Sequence, residues 1–207
     1  MLLLPNLYPI KRINRKIWRT PTGRVIRLGS FGALRLQKNH VTAAAAALIL
    51  ARIHNLEMEF HVNSNRDAQT GVLGVIRDLF ANVPNCSLVE IPWAPWPEFR
   101  HRFTGLDVHL QMSTTESFNF CTADSVAEGT PCVVSDAIDW VPNDWVAPID
   151  DAYEIARVAH KLLYDPLASD RGCAALKNYV NNSIRIWLSH LIDGVRETMP
   201  QHLEYDV

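Results

Sequence analysis

The stretch ESFNFCTAD, residues 116–124, sets two carboxylates eight positions apart around small and aromatic residues. On a helix that spacing separates Glu116 from Asp124 by roughly 12 Å, too far to share a proton and suited to the two ends of one long ligand. Ser113, Thr114 and Thr115 lead out of an apolar run into Glu116, and a helix is expected to begin near Ser117 or Phe118. The unsatisfied backbone N–H groups at such a start favour a phosphate. Glu116 alone is equally well explained as a carboxylate that favours the helix dipole. Asp124 is different, because Cys121, Ala123, Val126 and Ala127 around it mark a mostly buried helix. A buried carboxylate needs hydrogen-bond partners, and ligand hydroxyls would supply them.

A second chemistry-bearing stretch, LGSFGALRLQKN (28–39), carries Gly29 and Gly32 and then Arg35 and Lys38. A dinucleotide site wants G-x-G-x-x-G here, and this G-x-x-G has no third glycine, so a nicotinamide or flavin fold is disfavoured. Two cations beside a glycine turn can hold a diphosphate; a solvated helix end bearing Arg and Lys is the competing reading. A third loop, AEGTPCVVSDAIDWVPND (127–144), holds Asp136, Asp139 and Asp144 near Trp140 and Trp145, and turn chemistry accounts for it without a catalytic role. The eight histidines form neither H-x-x-x-H nor H-E-x-x-H, and there is no D-x-D, so no metal site is expected.

These loops need a scaffold, and the rest of the chain reads as one. Apolar strands and helical segments alternate from Arg24 onward. The expected order is strand 25–28, helix 39–54, strand 57–62, helix 68–82, strand 87–91, a short helix near 96–103 and strand 107–112. Helix 118–128, strand 132–135, a short strand near 145–147 and helix 151–164 follow. Such units imply parallel strands with right-handed crossovers, an α/β Rossmann-like open sheet of about six strands with helices on both faces. The ligand crevice then lies at the carboxyl ends of the strands. Residues 1–23 mix proline, asparagine and basic residues without periodicity and read as a linker-like N-terminal arm; 24–165 is the domain; 166–207 reads as C-terminal helices, one or two over 170–195, and a tail.

With 207 residues, 48% apolar and a formal charge of −2, the chain has material for one good core and no basic excess for a nucleic-acid backbone. Cys86, Cys121, Cys132 and Cys173 form no C-x-x-C pair, which points to reduced, buried thiols and a cytoplasmic protein. No run approaches a membrane span.

STTESFNFCTADSVAEGTPCVVS resembles the E-x(7)-E region of retaining, family-four-like GT-B glycosyltransferases, and FGALRLQKN resembles their phosphate-binding loop. The order of the two motifs, their spacing and the closing PIDDAYEIARVAHKLLYD are similar to the carboxyl-terminal, donor-binding half of that fold. The resemblance implies a nucleotide-diphosphate-sugar donor, no cofactor and no metal. By position it implies that Glu116 contacts the donor sugar, that Asp124 holds the ribose hydroxyls and that Lys38 holds the diphosphate. Arg35 stands in for an arginine that the family places where this chain has Ala33. Gly32, Ser117, Phe118 and Asn119 complete the implied donor site. Asp124 is one methylene shorter than the usual glutamate, and Asn119 stands where glycine is common.

The leading expectation is thus a metal-independent, hexosyltransferase-like enzyme or its donor half. The acceptor half would be a separate domain, or copies would associate through the arm and C-terminal helices. The alternative is a catalytically silent nucleotide-sugar-binding or assembly module. A nucleotide-sugar epimerase of related fold lacks any evident acid–base pair.

Overall fold

The protein, a computed structural model, is described over residues 4–10, 14, 16–64 and 71–198. Parts of the expected arm, the start of the helix expected at 68–82 and the tail from 199 lie outside those residues. Five strands, β1 (Ile26–Ser30), β2 (Met58–Asn63), β3 (Cys86–Ile91), β4 (Val108–Gln111) and β5 (Cys132–Val134), form one parallel sheet in the order β3-β2-β1-β4-β5. The order reverses between β1 and β4, so the loops after those two strands face each other across the switch point, where open α/β sheets place ligands. Both chemistry-bearing stretches are these loops.

Among the described residues, α1 (His40–His54), α2 (Val72–Phe80), α3 (Trp96–His101) and α4 (Phe120–Ala127) connect successive strands, and α5 (Ala152–Leu163) and α6 (Ala168–Thr198) follow β5. On α1, Ala43, Ala44, Ala46 and Ala47 are fully buried. Side chains this small let the helix axis lie close to the sheet and to α5, which it contacts along much of its length. Helix α5 opens as its sequence predicts, with the Asp151 carboxylate accepting from the Tyr153 and Glu154 amides at 3.0 Å.

The sixth strand expected near 145–147 is instead a single bridge between Val134 and Val146, following a 3-10 turn at Asn143–Trp145. Pro142 and Pro148 bracket this segment and contribute no N–H, so a longer ladder has too few donors. The C-terminal segment is one continuous helix, and its Leu176 and Val180 belong to the main core.

The N-terminal segment behaves unlike a free linker. Tyr8 is 3% exposed and part of the same core. The Asn14 amide donates to the Ala127 carbonyl at 2.8 Å, Trp18 Nε1 to the Leu163 carbonyl at 3.0 Å, and Trp187 Nε1 on α6 to the Pro5 carbonyl at 2.8 Å. Where the chain passes the end of α4, Gly129 adopts φ +80°, and a Cβ there would lie 2.7 Å from both the Asn14 oxygen and the Lys16 nitrogen. Only glycine combines that left-handed backbone with so close an approach.

Candidate nucleotide-sugar site at the switch point

The loop after β1 is fixed from beneath. Phe31 is fully buried in a small aromatic cluster with Phe99 and Phe103, its ring 5.0 Å from that of Phe103. Its amide donates to His109 Nε2 at 3.1 Å, and its carbonyl accepts from Gln111 Nε2 at 2.7 Å. The Gly32 amide, at φ +124°, donates to Asn63 Oδ1 at 2.8 Å. All three partners are buried polar side chains at the ends of β2 and β4.

Two histidines complete this frame, and both are neutral. His40 Nε2 faces the Ala33 carbonyl, which can only accept, so Nε2 carries the proton and Nδ1 accepts from Ser30 Oγ at 2.7 Å. His109 Nε2 accepts from the Phe31 amide, which leaves the proton on Nδ1, towards Cys132 Sγ at 3.5 Å. Burial drives their pKa values down to about 4 for His40 and about 3 for His109.

The loop after β4 is tied to this frame through Asn119. Gln111 Oε1 accepts from Asn119 Nδ2 at 3.0 Å, and Asn119 Nδ2 also donates to Glu116 Oε1 at 2.9 Å. Glu116 forms an ion pair with Lys38, the last residue of a 3-10 turn in the first loop. The Thr114 amide meets the Gln37 carbonyl at 2.8 Å, a direct backbone bond between the two loops. Lys38 and Glu116, distant in sequence, are therefore neighbours at the switch point.

Asn119 also starts the helix. It sits at φ 64°, and its Oδ1 accepts from the Thr122 amide at 2.8 Å, so α4 begins at Phe120 and not at Ser117 or Phe118. The left-handed backbone explains why glycine suits this position, and the cap explains what asparagine adds. Glu116 consequently precedes the helix, and the helical separation from Asp124 does not apply.

Phe118 is 2% exposed, stacked on Tyr179 with centroids 4.6 Å apart, and its carbonyl accepts from Trp140 Nε1. Its side chain serves the core rather than the crevice. Trp140 and Trp145 of the third loop are likewise buried. Phe120, not singled out in the sequence, is 51% exposed. Arg35 is exposed and has no side-chain hydrogen bond or ion pair among the described residues.

Asp124 is buried on α4, as its apolar neighbours imply, but the chain itself supplies its partners. Oδ1 accepts from the Tyr8 hydroxyl at 2.7 Å, and Trp96 Nε1 lies 3.2 and 3.3 Å from Oδ1 and Oδ2. Burial raises the Asp124 pKa, with the two hydrogen bonds opposing that rise. Tyr8 is pushed above its ordinary value by burial and by the adjacent carboxylate. One turn along α4, Glu128 pairs with Arg100 and accepts from Asn14. Tyr8 and Trp96 escape a sequence reading because no periodicity or motif surrounds them; the one available signal was Asp124's need for donors.

Among the described residues, two buried polar atoms at the strand ends have no partner, Asn63 Nδ2 beside the Gly32 turn and Ser113 Oγ after β4. Among the described residues no group of three or more His, Cys, Asp or Glu could hold a metal ion. No described helix is long and apolar enough to cross a membrane. The four cysteines are free thiols, Cys132 and Cys173 buried, Cys86 and Cys121 half-buried.

No family model and no curated protein matches the chain. Solved structures do. An OtsA apo structure aligns with TM-score 0.67 at 14% identity, over 86% of this chain and 45% of its own. A UDP-forming alpha,alpha-trehalose-phosphate synthase from Burkholderia xenovorans aligns with TM-score 0.64 at 17% identity, over 84% and 45%. A TarM mutant from S. aureus, in complex with Fondaparinux, alpha-GlcNAc-glycerol and UDP, aligns with TM-score 0.63 at 14% identity, over 85% and 38%. The chain spans less than half the length of each of these structures. At this identity the likeness shows the fold alone: a parallel, Rossmann-like α/β sheet of the kind found in these GT-B glycosyltransferases.

Proposed function

We propose that this chain is the donor-binding half of a glycosyltransferase and takes a nucleotide-diphosphate sugar in the crevice between the β1 and β4 loops. The observation that carries the reading is the meeting of Lys38 and Glu116 at the switch point, on loops held rigid by Phe31, Gln111 and Asn119. In this reading Lys38 and the unpartnered Arg35 lie along the diphosphate and offset the negative charge that grows on it as the glycosidic bond breaks, with no metal required. Glu116 faces the sugar, and the ribose hydroxyls address Asp124. Asn63 Nδ2 and Ser113 Oγ, without partners among the described residues, are buried at the ends of β2 and β4 beneath these loops. The OtsA and TarM likenesses support the ligand class through the UDP-forming activity and the bound UDP named for such proteins.

Calorimetric titration with UDP, ADP and GDP tests this. A selective response is expected, weakened in Asp124→Ala by about 1–3 kcal/mol, the usual cost of unpaired hydrogen-bonding groups. Glu116→Ala should spare the bare diphosphate and weaken the intact nucleotide sugar. The second reading, a silent assembly module, is favoured by the internal satisfaction of Asp124 by Tyr8 and Trp96. Silence across the panel, from the native chain and from Tyr8→Phe alike, would select it.

A further inference from the structure

The arm reaches the same residues that the donor would. Asn6 Nδ2 lies 3.2 Å from Ser117 Oγ, and the Tyr8 hydroxyl lies 2.7 Å from Asp124 Oδ1. The Tyr8 ring leans on Phe118 and Phe120 at 5.9 and 6.3 Å between centroids. The path is guided by Trp187, which donates to the Pro5 carbonyl. Ser117 and Asp124 are both positions assigned to the donor, one beside the helix start and one at the ribose.

A carboxylate that holds a ribose presents its oxygens to two adjacent hydroxyls. Asp124 has Oδ1 engaged by a phenolic hydroxyl and both oxygens near the Trp96 indole. Asp124 is itself only 2% exposed, so no hydroxyl from solvent reaches its carboxylate while the arm is seated. Nor is the arm a loose strand that happens to touch the crevice, because three separate hydrogen bonds hold Pro5, Asn6 and Tyr8.

We infer that residues 5–8 are a built-in occupant of the nucleotide end of the crevice: the Tyr8 hydroxyl stands in for a ribose hydroxyl on Asp124, and a nucleoside diphosphate and the arm compete for that carboxylate. The inference rests on the donor-binding reading above. It adds to it a resting state in which the site is closed by the chain's own N-terminal segment, and a condition for opening it, namely withdrawal of Tyr8.

The test uses the full chain, with UDP, ADP and GDP as probes. Tyr8→Phe removes the competing hydroxyl while keeping the ring in its aromatic cluster. Competition predicts that Tyr8→Phe binds the preferred diphosphate about tenfold more tightly than the native chain, the scale of one hydrogen bond to a charged group. It also predicts that backbone hydrogen exchange at residues 6–8 speeds up when the native chain is saturated. A native chain that is silent beside a responding Tyr8→Phe supports the competition and the donor reading together. Equal or weaker binding by Tyr8→Phe, or slower exchange at residues 6–8 on saturation, overturns the competition and leaves the donor reading standing. Silence from both proteins, each folded by circular dichroism, overturns both. Should Tyr8→Phe unfold, Asn6→Ala loosens the arm at its exposed contact with Ser117, and a gain of about twofold replaces the tenfold one, with no gain overturning the competition.

Discussion

The two ends of the crevice are built differently. At the sheet end, the β1 loop, β4 and the residues before α4 are joined by a chain of hydrogen bonds among Phe31, His109, Gln111, Asn119, Glu116 and Lys38, several of them fully buried. At the other end, Asp124 depends on a tyrosine delivered by an aperiodic N-terminal segment and an indole from the short helix α3. The first end is fixed by the sheet and its loops, while the second is held by elements outside the sheet. On the proposed donor reading, a site so divided would be preorganised for the diphosphate and sugar and conditional for the nucleoside.

Acid should expose the sheet end most strongly. Both His40 and His109 have folded pKa values depressed below the ordinary 6.5, to about 4 and about 3, so below pH 6.5 the unfolded chain binds protons that the folded chain does not. Stability is full above pH 6.5 and falls as pH drops towards 4 and below, by several kcal/mol for the two groups together at about 1.4 kcal/mol per unit. Urea midpoints between pH 7 and 4 measure this, and His40→Gln should make the slope shallower. An unchanged slope would mean that the frame tolerates a charged imidazole.

Asn119→Ala comes next, because it removes the helix cap and two side-chain bonds and leaves a Cβ residue at φ 64°. A loss of about 3 kcal/mol is expected in denaturant titration. Asn119→Gly keeps the backbone and should recover about 1 kcal/mol of it. Equal losses would show that the hydrogen bonds, and not the backbone, govern this corner.

At the arm end, Tyr8→Phe should lower the local stability of the seated arm by about 1–2 kcal/mol, since Asp124 keeps its indole donor. Its effect should be confined to the arm's own hydrogen exchange, leaving that of β4 unchanged; a global loss would erase the contrast between the ends. Arg35→Ala should move stability by no more than about 0.5 kcal/mol, as an exposed and unpartnered cation, while weakening nucleoside diphosphate binding.

The sheet end was largely legible in the sequence, because strand and helix periodicity fix the order of elements and a parallel order fixes where their loops meet. Lys38 and Glu116 were singled out from their loops and from the family resemblance, and the parallel order is what brings those loops together. The helix start was misplaced because Asn119 adopts a left-handed conformation that its apolar and polar neighbours do not signal. Phe118 entered the donor site only through the family resemblance, and nothing local separates an aromatic residue facing a crevice from one buried in a core, as Phe118 is. The arm end was illegible for another reason: nothing local in PNLYPI specifies a partner more than a hundred residues away. Asp124's burial was foreseen and its need for donors was foreseen, yet the donors came from this chain.

The close passage of the chain over Gly129 has a consequence for how the arm would let go. Asn14 is pinned there by its amide bond to Ala127 and by a glycine that leaves no clearance. Six peptide links join Tyr8 to Asn14, so a released Tyr8 stays within about 20 Å of its anchor. The tether holds the phenol near Asp124 at an effective concentration on the order of millimolar, and its return is a first-order event that dilution cannot slow. A free ligand would therefore be opposed by the same local concentration of tyrosine however little protein is present, and occupancy would follow ligand concentration alone.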